Sequence, residues 1–256
     1  MNAVEVYTSV SDAKGGPVLG LTAADFDVED NGEPQRVTVF TAKELPLSVA
    51  VVIDRSFSVP SARLQATVAA ARAFIAALRP ADRVMVLTIG SEVETIAPLS
   101  TDHAAATSAL TRIDRWGTTP LYDAMLTAID TIQSASGRRA LILLSDGRET
   151  DSRTTAASLI DQVRRQDVLV YPIAVSGTRP PVFAEIASVT GGRSFAVNDL
   201  KQLEPTLHAI ADELRFQYLL GYTPGTAGPR GEWHSIRVNV HRENARVRAR
   251  DGYVSR

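Results

Sequence analysis

LSVAVVIDRSFSVPSARLQATVAAARAFIAALRP, residues 47–80, joins an apolar run to a segment of helical period through a short polar turn. Leu47 to Ile53 form a continuous apolar run, the mark of a strand buried on both faces, and Asp54 closes it. Downstream, Leu64, Val68, Ala71, Ile75 and Leu78 recur at helical spacing, bracketed by Pro60 and Pro80. A buried strand followed directly by a helix is the first half of a crossover unit.

The same rhythm continues outward. DRVMVLTIG, RALILLSD, VLVYPIAV and GGRSFAV read as further strands, with helical segments AAATSALTRI, LYDAMLTAIDTIQSA, TAASLIDQVRRQ, PVFAEIASVT and a last amphipathic helix from Asp199 to Arg215 between and after them. Strands alternating with helices of this length imply a mostly parallel sheet with helices on both faces. EVETIAPL follows its predecessor after a very short gap, so it is expected as an antiparallel hairpin edge. The expectation is an α/β, Rossmann-like, doubly wound six-stranded sheet over residues 46–215.

The ends of the chain have a different period. VEVYTSVSD, DFDVEDNGEPQRVTVFTA and WHSIRVNVHRENARVRARDGYVSR alternate apolar and polar residues, with Asn31-Gly32 and Glu243-Asn244 as turns and Ile236, Val238 and Val240 on one face. Residues 1–44 carry eight acids against three bases, net −5, whereas residues 217–256 carry seven arginines against three acids, net +4. Four or five short strands divided between two ends do not make two stable sheets. Residues 1–45 and 216–256 are therefore expected to meet in one small β-domain, drawn together by opposite charge.

Composition narrows the function classes. The 256 residues have a formal net charge of −2, 45% hydrophobic and 22% charged residues, which excludes disordered, collagenous and coiled-coil chains. Near-neutrality argues against a nucleic-acid partner. The absence of cysteine removes disulfides, thiol nucleophiles and thiolate zinc sites. No apolar run approaches the ~18 residues of a membrane span. The start at Met1 lacks a basic-then-apolar leader, so the chain is expected to be cytoplasmic or to have had a leader removed.

In an open α/β sheet, ligands bind beyond the carboxyl ends of the strands, where strand order reverses. Asp54-Arg55-Ser56-Phe57-Ser58 follows the first buried strand, and Ser145-Asp146-Gly147 ends a later one. Between them lies Gly117-Thr118-Thr119-Pro120, read as a helix start with Thr119 as N-cap and Pro120 at the first helical position. Asp54, Ser56, Ser58, Thr119 and Asp146 are hard oxygen donors, a set that suits Mg²⁺ or Mn²⁺ better than zinc and leaves a position for a partner's carboxylate. Trp116 is expected at the rim and Tyr122 in the core.

These residues resemble the von Willebrand factor type A domain with its metal-ion-dependent adhesion site (MIDAS), whose pattern is Asp-x-Ser-x-Ser, a later Thr and a later Asp. The resemblance covers residues 46 to 215. It implies that Ser56, Ser58 and Thr119 contact the ion directly or through water, that Asp54 and Asp146 act largely through water, and that an acidic side chain of another protein completes the shell. Two departures stand out: Phe57 occupies a position where the family often has glycine, and Arg55 adds a cation that could hold an acidic partner. VLGLTAADFDVEDNGEPQ (18–35) and YLLGYTP (218–224) resemble segments flanking the domain in a bacterial subgroup that is typically exported, which implies an extracellular or periplasmic location.

The expectation is thus a non-enzymatic, metal-dependent protein-binding and adhesion module. A structural or assembly protein with an empty metal site is the alternative, and a metal-dependent hydrolase is a third. The four histidines fall in no HExxH arrangement, no GxSxG elbow or phosphate loop occurs, and a haloacid-type Asp-x-Asp pair is replaced by Asp54-x-Ser56.

Overall fold

Residues 3–42, 45–225 and 229–255 are described by the computed structural model. Lys43 and Glu44, counted in the acidic segment, and Arg256, counted in the basic one, lie outside the described residues. Strands β1 (Val4–Ser11), β2 (Phe26–Asp30), β3 (Glu33–Gln35) and β4 (Val39–Thr41) precede β5 (Leu47–Asp54). Helix α1 (Ser61–Ala77), β6 (Arg83–Ile89), β7 (Val93–Ser100), α2 (His103–Ala109) and α3 (Leu121–Gln133) follow. Next come β8 (Arg138–Ser145), α4 (Ala156–Arg164), β9 (Leu169–Ala174), α5 (Pro181–Thr190), β10 (Phe195–Ala196) and α6 (Leu203–Arg215). Strands β11 (Tyr218–Tyr222), β12 (Trp233–Val240), β13 (Arg246–Arg248) and β14 (Gly252–Val254) follow α6.

The central sheet has the order β10-β9-β8-β5-β6-β7, parallel throughout except for β7, which runs antiparallel to β6. Every residue of β5 is buried. Val49, Val51 and Ile53 join one core with residues of α1, α2 and α6, while Ala50 and Val52 join the other with residues of α3, α4 and α5. This three-layer burial explains why β5 reads as an unbroken apolar run rather than an alternating one. On α1 the buried stripe includes Thr67, Ala70 and Phe74 beside the expected Leu64, Ala71 and Ile75, whereas Val68 and Leu78 are only partly buried. The chain winds outward from β5 in one direction through β6 and β7, and in the other through β8, β9 and β10. Strand order therefore reverses between β5 and β8.

Among the described residues the terminal segments contribute eight strands, not four or five, in two antiparallel sheets ordered β13-β1-β11-β4 and β14-β12-β2-β3. Val4, Val6, Val10, Phe26, Val28, Tyr218, Leu220, Tyr222 and Ile236 share the core between them. On its other face the first sheet presents Tyr7 and Leu219 to the core of the central sheet. Being covered on both sides, β11 is buried along its whole length, YLLGY. The expected hairpin around Asn244 does not form: β12 pairs with β14 and β2, whereas β13 pairs with β1. Asn244, at φ 58°, turns the chain from one sheet into the other.

Opposite charges do meet across these strands, with Arg237 Nη1 3.6 Å from Glu29 and His241 Nε2 2.6 Å from Asp27. Further ion pairs, Arg250–Asp167 at 3.3 Å and Arg164–Asp251 at 2.9 Å, tie the terminal strands to the central part. Glu213 of α6 accepts the Tyr171 hydroxyl at 2.9 Å and also pairs with Arg248. Asp167 lies just before β9, so this docking contact is made at the amino ends of the parallel strands. The carboxyl ends, where a ligand is expected, face away from it.

Candidate metal centre

Asp54 and Asp146 stand at the carboxyl ends of β5 and β8, on either side of the strand-order reversal, and both are buried. The Asp54 carboxylate accepts from the Ser145 hydroxyl at 2.6 Å and from the Ser56 amide at 3.0 Å, so both of its oxygens are fixed in direction. Burial is the main force raising its pKa above the ordinary carboxylate range; the Ser145 and Ser56 hydrogen bonds oppose this, and the nearby Asp146 charge adds to it. A cation at this edge would reverse that penalty.

Ser56 and Ser58 lie two residues apart on a turn, and their hydroxyl oxygens are 3.0 Å from one another. The loop before α3 runs beside them: Trp116 N donates to Arg55 O at 2.8 Å, and Phe57 N donates to Gly117 O at 3.0 Å. That two-rung pairing brings Thr119, 1% exposed, to the same edge. Its amide donates to Thr150 Oγ1 at 3.0 Å, and its carbonyl accepts from Thr150 N at 3.1 Å and from Leu121 N at 2.8 Å. Helix α3 begins one residue later than expected, at Leu121, with Pro120 in the N-cap position and without a side-chain cap from Thr119. Asp146 accepts from Arg148 N at 3.0 Å, and Arg148 Nε lies 3.9 Å away with its side chain largely exposed.

Several positioning residues have no sequence signal. The amino end of α3 is capped from another loop: Glu149 accepts from Tyr122 N at 3.0 Å, and Ser152 Oγ accepts from Tyr122 N at 2.9 Å and Asp123 N at 3.2 Å. Asp123 in turn accepts from Arg153 N at 2.8 Å and Thr154 N at 3.1 Å; the Thr154 side chain first, and these amides after it, hold its carboxyl below the usual range. This exchange locks the loop carrying Asp146 to the helix that follows Thr119. Ser145, quoted above without a role, aims Asp54.

Arg55 departs from expectation. Its guanidinium pairs with Glu94 at 3.0 Å and lies 5.2 Å from the Trp116 ring centre, so it is engaged within the chain rather than free for a partner. None of the four histidines belongs to this edge: His103 meets Asp82 O, His208 lies near Glu204, and His234 and His241 meet Asp30 and Asp27. Among the described residues, no group of three or more His, Cys, Asp and Glu side chains forms a metal-holding cluster. Two carboxylates and three hydroxyls fit a hard divalent cation nevertheless, because such ions accept neutral oxygen and water in most positions.

The von Willebrand factor type A domain model matches residues 48–209. The chain belongs to that family. No curated protein sequence matches it. A von Willebrand factor type A protein from Catenulispora acidiphila aligns over 98% of this chain and 74% of its own, with TM-score 0.59 and 15% identity. An aerotolerance-related membrane protein from Bacteroides fragilis, carrying multiple mutations to serines, aligns over 66% of this chain and 98% of its own, with TM-score 0.54 and 18% identity. Proximal thread matrix protein 1 from mussel byssus, with a zinc-occupied MIDAS motif, aligns over 73% of this chain and 50% of its own, with TM-score 0.60 and 17% identity. At such identities the likeness is one of fold. In this type A domain Asp54, Ser56, Ser58, Thr119 and Asp146 all stand at the edge just described.

Proposed function

We propose that the chain is a non-enzymatic protein-binding module that takes up Mg²⁺ or Mn²⁺ at Asp54, Ser56, Ser58, Thr119 and Asp146 and grips an acidic side chain of a partner. The observation that carries this reading is the pairing of two buried carboxylates with hydroxyls across the strand-order reversal, with Asp54 buried beside a second acid and no histidine in reach. Ser56, Ser58 and Thr119 hold the ion as neutral donors, while Asp54 and Asp146 supply the charge. The bound ion supplies a Lewis-acidic position that a carboxylate from outside completes. The zinc-occupied MIDAS of the byssus protein supports a cation here, and the all-oxygen donor set favours magnesium or manganese over zinc.

In this reading residues 46–215 form the binding domain, and residues 1–45 with 216–256 form a supporting β-domain at the opposite end. We place the protein outside the cytoplasm, extracellular or periplasmic, from the exported character implied by its flanking motifs. Among the described residues no helix is long and apolar enough to cross a membrane.

Thermal unfolding in EDTA against several millimolar Mg²⁺ or Mn²⁺ tests the proposal. A ligand at ~100 times its Kd adds about 2.7 kcal/mol. For a chain of this size that raises Tm by roughly 5–10 °C. Asp54→Ala is expected to lose the shift. No shift in either protein contradicts metal binding.

A further inference from the structure

The exposed large hydrophobic residues among those described are Leu19, Val39, Phe57 and Trp116, at 60%, 44%, 61% and 42% exposure. Leu19 and Val39 belong to the terminal segments. Phe57 and Trp116 belong to the two backbone-paired loops of the metal centre, one between Ser56 and Ser58 and the other three residues before Thr119.

Both rings are seated rather than loose. The Trp116 indole lies against Gly90, where a Cβ would come 2.5 Å from Cε3, and the Arg55 guanidinium lies 5.2 Å from its ring centre. Arg55 is itself held by Glu94. Phe57 has the Arg115 guanidinium 5.8 Å from its ring centre, and Arg115 also donates to the Phe57 carbonyl. A ring held in place by neighbours and still exposed loses little freedom when a partner covers it, which is how aromatic anchors gain affinity. On the other bank, Arg148 leaves a largely exposed cation beside Asp146. An apolar shelf on one side and a positive charge on the other complement a segment that is both acidic and apolar.

We propose that Phe57 and Trp116 form an apolar shelf that selects the partner: a protein segment whose metal-binding Asp or Glu is accompanied, within a few residues, by an aromatic or large aliphatic side chain. This rests on the metal-site reading and adds the specificity of that site. Phe57, the more exposed of the two rings and set between Ser56 and Ser58, is the specificity-determining residue.

The test is selection from a phage-displayed library of random linear peptides on the whole chain in Mn²⁺, with EDTA elution. Enriched peptides are expected to pair an acid with a nearby large apolar residue. A selected peptide should bind Phe57→Ser roughly tenfold more weakly than wild type and Trp116→Ala likewise, while Phe57→Leu retains most of the affinity. Removing the peptide's apolar residue should weaken wild-type binding by a similar factor and add little on Phe57→Ser, the coupling expected of groups in contact. Enrichment of acids with no apolar neighbour overturns the shelf and leaves the metal reading standing. Equal loss in Phe57→Ser and Phe57→Leu also overturns it, because the loop and not the apolar surface is then at fault. No Mn²⁺-dependent enrichment at all removes the metal reading and the shelf with it.

Discussion

Asp30→Ala is expected to destabilise the chain by about 3–5 kcal/mol, because three donors lose their shared acceptor and a buried donor left unsatisfied costs roughly 1–3 kcal/mol. Asp30 ends β2 and is 5% exposed. Its carboxylate accepts from Tyr222 Oη at 2.9 Å, from Tyr253 Oη at 2.8 Å and from His234 Nδ1 at 2.8 Å. Those partners lie on β11, β14 and β12, so one side chain joins both terminal sheets. Burial first, and the bond to Asp30 second, push both phenols far above their usual range, which keeps them protonated and donating. Among the described residues, none is a hydrogen-bond partner of the buried His234 Nε2. Urea denaturation should show the fall, with Tm lower by roughly 6–20 °C. Tyr253→Phe removes one donor and should cost only about 1–2 kcal/mol. An Asp30→Ala protein within 1 kcal/mol of wild type, on the same scale of a typical hydrogen bond, would show that the network carries little of the fold's stability.

Gly117→Ala should be nearly as damaging and should also disturb the proposed metal centre. Gly117 has φ +80°, and a Cβ there would lie 2.2 Å from Ser91 N and 2.6 Å from Ser91 Oγ. Left-handed backbone costs an L-residue roughly 1–2 kcal/mol, and the overlap with backbone adds about 1–3 kcal/mol. The shift required would pull on the Phe57 N to Gly117 O bond that registers the two site loops. The variant is therefore expected to lose stability in urea and to show a smaller Mn²⁺-linked rise in Tm. Gly20→Ala, at φ +80° but with nothing within 4 Å of the added Cβ, separates the backbone cost from the overlap. Equal behaviour of the two variants would mean that the Ser91 contact does not constrain the loop.

The central sheet was legible because burial on both faces leaves little choice of residue: Val49 to Ile53 of β5 and Ala140 to Leu144 of β8 are apolar throughout, and the polar residues that follow them mark the edge proposed for the ligand. The terminal sheets were less so. β3, β4, β13 and β14 have three residues each, too few to display a period, and their existence follows from pairing rather than pattern. Asn244 carries an ordinary hairpin signal, yet the strands on either side of it belong to different sheets, a choice made by packing.

At the site, Asp54, Ser56, Ser58, Thr119 and Asp146 were visible as oxygen donors in the right order, but the reason Thr119 does not cap α3 was not. The Tyr122 amide that its hydroxyl would accept from is taken instead by Glu149 and Ser152, residues about 30 positions away that only the folded chain brings near. Arg55 was visible as a cation beside the site; its direction, toward Glu94 and Trp116, depends on where β7 and the loop before α3 end up.

The most direct test of the central claim is a Mn²⁺ titration followed by electron paramagnetic resonance on wild type and on the double variant Ser56→Ala, Ser58→Ala. One saturable Mn²⁺ per chain is expected, displaced by Mg²⁺ and lost in the double variant while its far-ultraviolet circular dichroism is unchanged. No saturable ion in wild type, or the same ion retained when both hydroxyls are gone, would contradict that claim.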